Sequence, residues 1–228
     1  MPKAILFDLF ETLITEFSDH QRISKRSYDY MALLGISNKE FKQEWGSRQH
    51  KRMTGYYPNY HAVLSDILTV QNLPIDHAVI DGLYQERITE KNLPFRQIRA
   101  DILELLAALK AMKIKIGLIS NCTEEEVRYW GKSELAAVFD DVIFSYEVGF
   151  AKPDKEIYLL SCEKLGAAPE EVWFVGDGGS SELEGAADAG LRPYHAFWFN
   201  TYIQSGFRKL AQPLELLKII AEQNGDPL

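Results

Sequence analysis

Cysteine is almost absent: the 228 residues hold only Cys122 and Cys162. The two have no metal-ligand spacing, which excludes a disulfide-rich framework and a thiolate metal site. A reduced, cytoplasmic setting is the simplest reading. No run of about 18 apolar residues occurs, so a membrane-spanning helix is excluded. The first apolar run, ending at Asp8, is too short for a signal sequence. The five histidines show no paired ligand spacing and carry no site. Positive charge is in deficit, with 25 Lys and Arg against 33 Asp and Glu and a net charge of -8. That balance argues against nucleic acid or an anionic membrane as the main partner, although a locally basic site can still take an anionic substrate. Internal repeats and low-complexity linkers are missing too.

What remains is an ordinary globular composition, 46% hydrophobic and 25% charged, in a length that fits one domain or a core with a smaller insertion. The chain opens on Ala4-Ile5-Leu6-Phe7-Asp8-Leu9-Phe10-Glu11-Thr12-Leu13. Four apolar residues followed by a carboxylate read as a buried strand that delivers an acid to its carboxyl end. Open α/β sheets place their chemistry there. The competing reading is that Asp8 only caps a turn.

From Glu16 to Phe95 the pattern is helical, with no convincing strand. Ile23, Tyr30, Met31 and Leu34 recur at helical spacing and stop at Gly35. Ser37 and Glu40 form a capping box ahead of Phe41 and Trp45. Val63 to Leu68 and Val79 to Ile88 supply two more amphipathic segments, punctuated by Pro74 and Pro94. Beyond Arg99 helix and strand alternate. Helices are expected over Ile102–Met112, Glu124–Trp130, Asp154–Leu165 and Leu183–Ala189. Strands are expected over Ile114–Asn121, Val142–Ser145, Val172–Val175 and His195–Phe199, with a frayed tail from Asn224 to Leu228. The fold class is therefore α/β: a doubly wound parallel sheet, Rossmann-like, over 1–15 and 96–228, with a helical bundle inserted over 16–95.

Right-handed crossovers put the strand ends of such a sheet on one edge. Asp8, Ser120 with Asn121, Lys152 and Asp177 can then converge. A carboxylate nucleophile, a hydroxyl or amide donor, an ammonium and a second carboxylate make a sensible set for phosphoryl transfer.

With these stretches in their order, the chain resembles the haloacid dehalogenase-like hydrolase superfamily. The matching segments are Phe7-Asp8-Leu9-Phe10-Glu11-Thr12-Leu13, Ile119-Ser120-Asn121, Gly149-Phe150-Ala151-Lys152-Pro153-Asp154, and Val175-Gly176-Asp177 through Gly185-Ala186. The resemblance implies a helical cap after the first motif and Asp8 as nucleophile. It also implies Mg²⁺ held by the Asp8 and Asp177 carboxylates and the Phe10 carbonyl, with octahedral oxygen ligation. Ser120 and Asn121 would hold the phosphoryl group of a small phosphorylated metabolite, and Lys152 would stabilise Asp8 and the transferred charge.

Two departures bear on the activity. Phosphatases of the superfamily usually carry an acid/base aspartate where this chain has Phe10. Loss of such a group costs on the order of 10²- to 10⁴-fold in rate. Glu11 is the candidate substitute, although an extended segment would turn it the other way. An aromatic residue at the Phe10 position is a feature of the dehalogenase branch, whose departing halide needs no proton. Yet Gly176-Asp177, which that branch lacks, is retained. Glu182, five residues on, is either a metal-linked acid or, with Ser181 and Glu184, part of a capped first helical turn. In the helical insert Arg48 is the candidate substrate contact, together with Lys51, Arg52 and Tyr56-Tyr57; the alternative is a solvated basic face beside an aromatic turn. Cys122 and Trp173 read as core, and Trp198 lies near the sheet edge. Three readings stay open: a Mg²⁺-dependent phosphatase, a metal-independent 2-haloacid dehalogenase, and a weakly active or inactive binding protein.

Overall fold

The computed structural model describes residues 1–18, 21–24 and 27–224. In chain order the elements are β1 (Ala4–Phe7), β2 (Phe17–Ser18), β3 (Gln21–Arg22), α1 (Tyr30–Leu34), α2 (Asn38–Ser47), α3 (Gln49–Met53), α4 (Tyr60–Val70) and α5 (His77–Asn92). They continue with α6 (Ala100–Ala111), β4 (Lys115–Ser120), β5 (Asp141–Phe144), α7 (Ser145–Val148), α8 (Lys155–Leu165), β6 (Val172–Gly176), α9 (Glu182–Asp188), β7 (Arg192–Ala196), β8 (Lys209–Leu210) and α10 (Glu215–Asn224).

The main sheet runs β5-β4-β1-β6-β7-β8 with every pairing parallel. β1 sits at its centre, and all four of its side chains are buried because both faces are covered. On one face Ile5, Phe7 and Val175 pack with Leu105, Leu109 and Ile220 of α6 and α10. On the other, Leu6 and Phe174 meet Ile157, Tyr158 and Leu183 of α8 and α9. This is the α/β arrangement that the alternating pattern predicts.

Helices α1 to α5 bury a third apolar cluster of their own, in which Tyr30, Phe41, Tyr60, Leu64 and Ile80 are central. The local signals act as read: Ser37 and Glu40 close a reciprocal capping box, and Gly35 ends α1 at φ 74°. Several elements differ from expectation. The first helix starts at Tyr30, so Ile23 lies outside it. Before it stands an unexpected hairpin, Phe17 pairing with Arg22 and Ser18 with Gln21. Glu124–Trp130 forms no α-helix but short 3-10 turns over Glu124–Glu126 and Trp130–Lys132. The last predicted strand is displaced to Arg192–Ala196, while β8 and α10 had no clear signal. Of the expected frayed tail, residues 225–228 lie outside the described residues. Among the described residues no helix is long and apolar enough to cross a membrane.

Candidate active site

Three central strands end in polar residues at the same edge. β1 runs into Asp8, β4 ends on Ser120 and β6 runs into Asp177. The loop beyond α7 carries Lys152, and α9 begins with Glu182. One oxygen from each of Asp8, Asp177 and Glu182 lies within 4.8 Å of the others, and all three residues are buried. The Lys152 ammonium, also buried, is hydrogen-bonded to Asp8 and lies 2.5 Å from Glu182 Oε2.

Three carboxylates in so small a volume cannot all ionise freely. Burial pushes the Asp8 carboxyl up; Lys152 opposes that and Asp177 adds to it. Burial likewise holds Glu182 well above its ordinary range, reinforced by Asp8 and opposed by Lys152. Burial alone would lower the Lys152 pKa, but Asp8 and Glu182 outweigh it and raise it, which keeps the ammonium cationic.

The supports of these groups are specific. Asp177 accepts from the Gly179 N–H at 2.9 Å and from Asn200 Nδ2 at 2.7 Å. Glu182 Oε1 accepts from the Gly178 N–H at 3.0 Å. Gly176 has no room for a side chain, since a Cβ there would lie 2.2 Å from Glu182 Oε1. Glu182 is therefore part of the buried charge cluster. Glu182 and Glu184 do stand in the first turn of α9, but the capping box is overturned, because Ser181 is left-handed at φ 53° and its hydroxyl caps nothing. An all-oxygen set of acids suits a hard divalent cation such as Mg²⁺.

Two buried hydroxyls, Thr12 Oγ1 in the turn after β1 and Ser120 Oγ at the end of β4, have no hydrogen-bond partner. A buried hydroxyl without a partner is costly, and Ser120 stands at the strand end beside β1, where a ligand oxygen at Asp8 would satisfy it. The other sequence candidates have protein partners of their own. Asn121 spends its amide on the Lys152 backbone, donating to the carbonyl and accepting from the N–H, both at 2.8 Å. Glu11 adopts φ 59° and accepts from the Thr15 hydroxyl at 2.6 Å and the Glu16 N–H at 2.8 Å, so its carboxylate ties down the next turn. Arg48 is bound within the insert to Glu44 and, at 2.7 Å, to Asp66. The Phe10 ring lies beneath Lys91, whose Nζ is 5.3 Å from its centre.

A family model described as haloacid dehalogenase-like hydrolase matches residues 2–190. The chain belongs to this family. Among its relatives, a glyceraldehyde 3-phosphate phosphatase of Methanocaldococcus jannaschii is 28% identical over 208 residues, covering 84% of this chain and 83% of the relative. An (S)-2-haloacid dehalogenase of Pseudomonas fluorescens is also 28% identical, over 179 residues, 76% of this chain and 74% of the relative. The fold is that of a 2-haloacid dehalogenase structure from Pseudomonas syringae pv. tomato, with TM-score 0.70 and 18% identity over 98% of this chain and all of that one. In this haloacid dehalogenase-like hydrolase, sequence reasoning missed Asn200 and the partnerless Thr12 hydroxyl. Thr12 was visible inside the first motif. Asn200 lies past the last strand, and only the fold of the 197–208 loop brings it to Asp177.

Proposed function

We propose that the protein is a Mg²⁺-dependent phosphatase of small phosphorylated metabolites that works through a phosphoaspartate on Asp8. The observation that carries this reading is the close set of Asp8, Asp177 and Glu182 around the Lys152 ammonium. A nucleophilic carboxylate needs no further acids beside it, whereas a cation site does. Phosphatases stand among the relatives, which supports the same class.

An Asp8 oxygen attacks phosphorus, an Asp8–phosphoryl bond forms, and the bond to the substrate oxygen breaks with its electron pair leaving on that oxygen. Water then attacks phosphorus, the Asp8–phosphoryl bond breaks with its electron pair returning to the Asp8 carboxylate, the water proton passes by way of solvent to the departed alkoxide, and inorganic phosphate and the alcohol leave. Lys152 balances charge on Asp8, while the Ser120 hydroxyl is left for a phosphoryl oxygen. Mg²⁺ on Asp8, Asp177 and Glu182 would neutralise the charge of the phosphoryl group. With Phe10 at the usual acid/base position, the leaving oxygen finds no aspartic acid to protonate it, and alkyl phosphates turn over slowly. Phosphate release from a metabolite panel in Mg²⁺, abolished by EDTA and by Asp8→Asn, is the expected result. Equal release with EDTA, or none, refutes it.

A second reading rests on Phe10 alone: metal-independent 2-haloacid dehalogenation. Asp8 would attack the halogen-bearing carbon, the halide would leave with its electron pair, and water would hydrolyse the ester. Chelator-insensitive halide release from 2-chloropropionate would establish it.

A further inference from the structure

Asp177 stands in a cluster whose members repel one another. One oxygen from each of Asp8, Asp177 and Glu182 lies within 4.8 Å of the others. An aspartate free to rotate about its side-chain bonds would swing away from two like charges so close, so something must hold it. Two donors do, one on each oxygen: the Gly179 N–H on Oδ1 at 2.9 Å and Asn200 Nδ2 on Oδ2 at 2.7 Å. The first is local, two residues along the same turn. The second comes from residue 200, beyond the family match, which ends at residue 190.

The loop that delivers Asn200 is fixed at its ends and along its length. It leaves β7 and returns into β8, where the His195 N–H donates to the Arg208 carbonyl at 2.9 Å and the Phe197 N–H to the Leu210 carbonyl at 2.8 Å. Between these ends the Trp198 indole N–H donates to the Thr12 carbonyl at 2.8 Å, in the turn after β1. The Ser205 hydroxyl is hydrogen-bonded to His195 Nδ1 at 2.8 Å, and the Arg99 guanidinium carbon lies 5.3 Å from the centre of the Phe199 ring. Asn200 therefore reaches Asp177 from a rigid support, as a group that must hold another in place requires.

Asn200 is 4% exposed, and its Oδ1 is buried with no hydrogen-bond partner among the described residues. A buried acceptor without a donor costs stability, and an apolar side chain of similar outline would avoid that cost. Packing alone would not select an amide here; the chemistry of its neighbour does. An ionised carboxylate only accepts, so the group that faces it must donate. A lysine or arginine would donate too, but it would neutralise Asp177 and compete with a bound cation. An amide donates and leaves the carboxylate its whole negative charge.

We propose that Asn200 is a positioning residue for the cation site: its amide holds Asp177 turned toward Asp8 and Glu182 while leaving that carboxylate charged. This rests on the reading of the three acids as a Mg²⁺ site. Asn200 acts through Asp177, and its removal weakens the hold on the cation without altering the nucleophile.

The test titrates Mg²⁺ calorimetrically into the full chain, as wild type, Asn200→Ala, Asn200→Leu and Trp198→Phe, with the Mg²⁺-free Tm of each measured alongside. In Asn200→Ala the Kd for Mg²⁺ is expected to rise about 10- to 100-fold, the usual effect of removing the partner of a metal ligand. Asn200→Leu, which fills the space and removes both the donor and the orphaned Oδ1, should show the same rise and decides the matter if the alanine variant does not fold. Trp198→Phe takes the indole from Thr12 but leaves Asn200 on Asp177; it should lower Tm and keep Kd near the wild-type value. In phosphate release, the Mg²⁺ concentration for half-maximal rate should shift with Kd, while kcat at saturating Mg²⁺ changes much less. An unchanged Kd in Asn200→Leu, or an equal rise in Trp198→Phe, overturns the proposal and leaves the Mg²⁺ site standing. A wild type that binds no Mg²⁺ refutes the site itself and the proposal with it, a loss already present before any substitution.

Discussion

On the phosphatase reading, Phe10 is the residue whose replacement should change the rate most. It stands at the sequence position where phosphatases of the superfamily usually carry the acid/base aspartate, and the nearest alternative acid in sequence is engaged elsewhere: Glu11 accepts from Thr15 and Glu16. The missing proton matters in proportion to the basicity of the leaving group. Phe10→Asp is therefore expected to raise kcat on alkyl phosphates by about 10²-fold or more, within the range for a positioned general acid, and to change aryl phosphate hydrolysis far less. Stopped assays on glycerol phosphate and p-nitrophenyl phosphate check this; an equal effect on both would place the limitation elsewhere. The same residue separates the two readings, because a halide departs without a proton and Phe10→Asp should give no gain in halide release.

Helix α5 and the 3-10 turn after β4 are locked together by buried charge. Arg87 and Lys91 from the helix meet Glu125 and Glu126 from the turn. Burial alone would raise the Glu126 carboxyl, but Lys91 and Arg87 outweigh it and hold the group well below its ordinary range. A depressed folded pKa means stability that is whole above the unfolded value, 4.5, and is lost as pH falls toward the folded one. Glu126→Gln, which leaves Arg87 only Glu125 and Lys91 only Glu16 as acid partners, is expected to cost about 1.5–3 kcal/mol at pH 7. The gap to wild type should narrow below pH 4.5. Urea denaturation at pH 7 and pH 3 measures both, and a gap independent of pH would show that Glu126 contributes packing rather than charge. The lock also explains an error of sequence reading. Val127 and Trp130 have helical spacing, but Glu125 and Glu126 turn inward to one cation, Arg87, 38 and 39 residues earlier, and the chain is pinned in tight turns. Such pairing has no local signal. β1 and β6 were legible because each is a continuous apolar run buried on both faces, β4 because Ile116 to Ile119 form such a run inside it, and the capping box of α2 because its two residues are only three apart. β2, β3 and β8 are two residues each, too short for any period to register. Arg192 and Pro193 mask the start of β7, whose register comes from pairing with Trp173 to Gly176.

At the scale of the molecule, convergence of the strand ends followed from the parallel order alone, so Asp8, Lys152 and Asp177 could be grouped without coordinates. What the sequence could not supply was which polar groups are already satisfied: Asn121, Arg48 and Glu11 look available in one dimension, yet each is held by a neighbour in three. The acids left around Lys152 are an electrostatic burden on a chain already at -8. A divalent cation would relieve it and would bind the folded state alone, since the three carboxylates come from residues 8, 177 and 182. Mg²⁺ should therefore stabilise the fold by about 2.7 kcal/mol at a hundred times its Kd. For a chain of this size that is a rise of about 5–10 °C in Tm. Asp177→Asn should abolish most of the rise, while the Mg²⁺-free Tm of that variant should equal or exceed wild type because one like charge is gone. Differential scanning calorimetry with EDTA or Mg²⁺ decides the matter. A wild-type Tm indifferent to Mg²⁺ would remove the reason for keeping Asp177 beside Asp8 and favour the metal-independent dehalogenase chemistry.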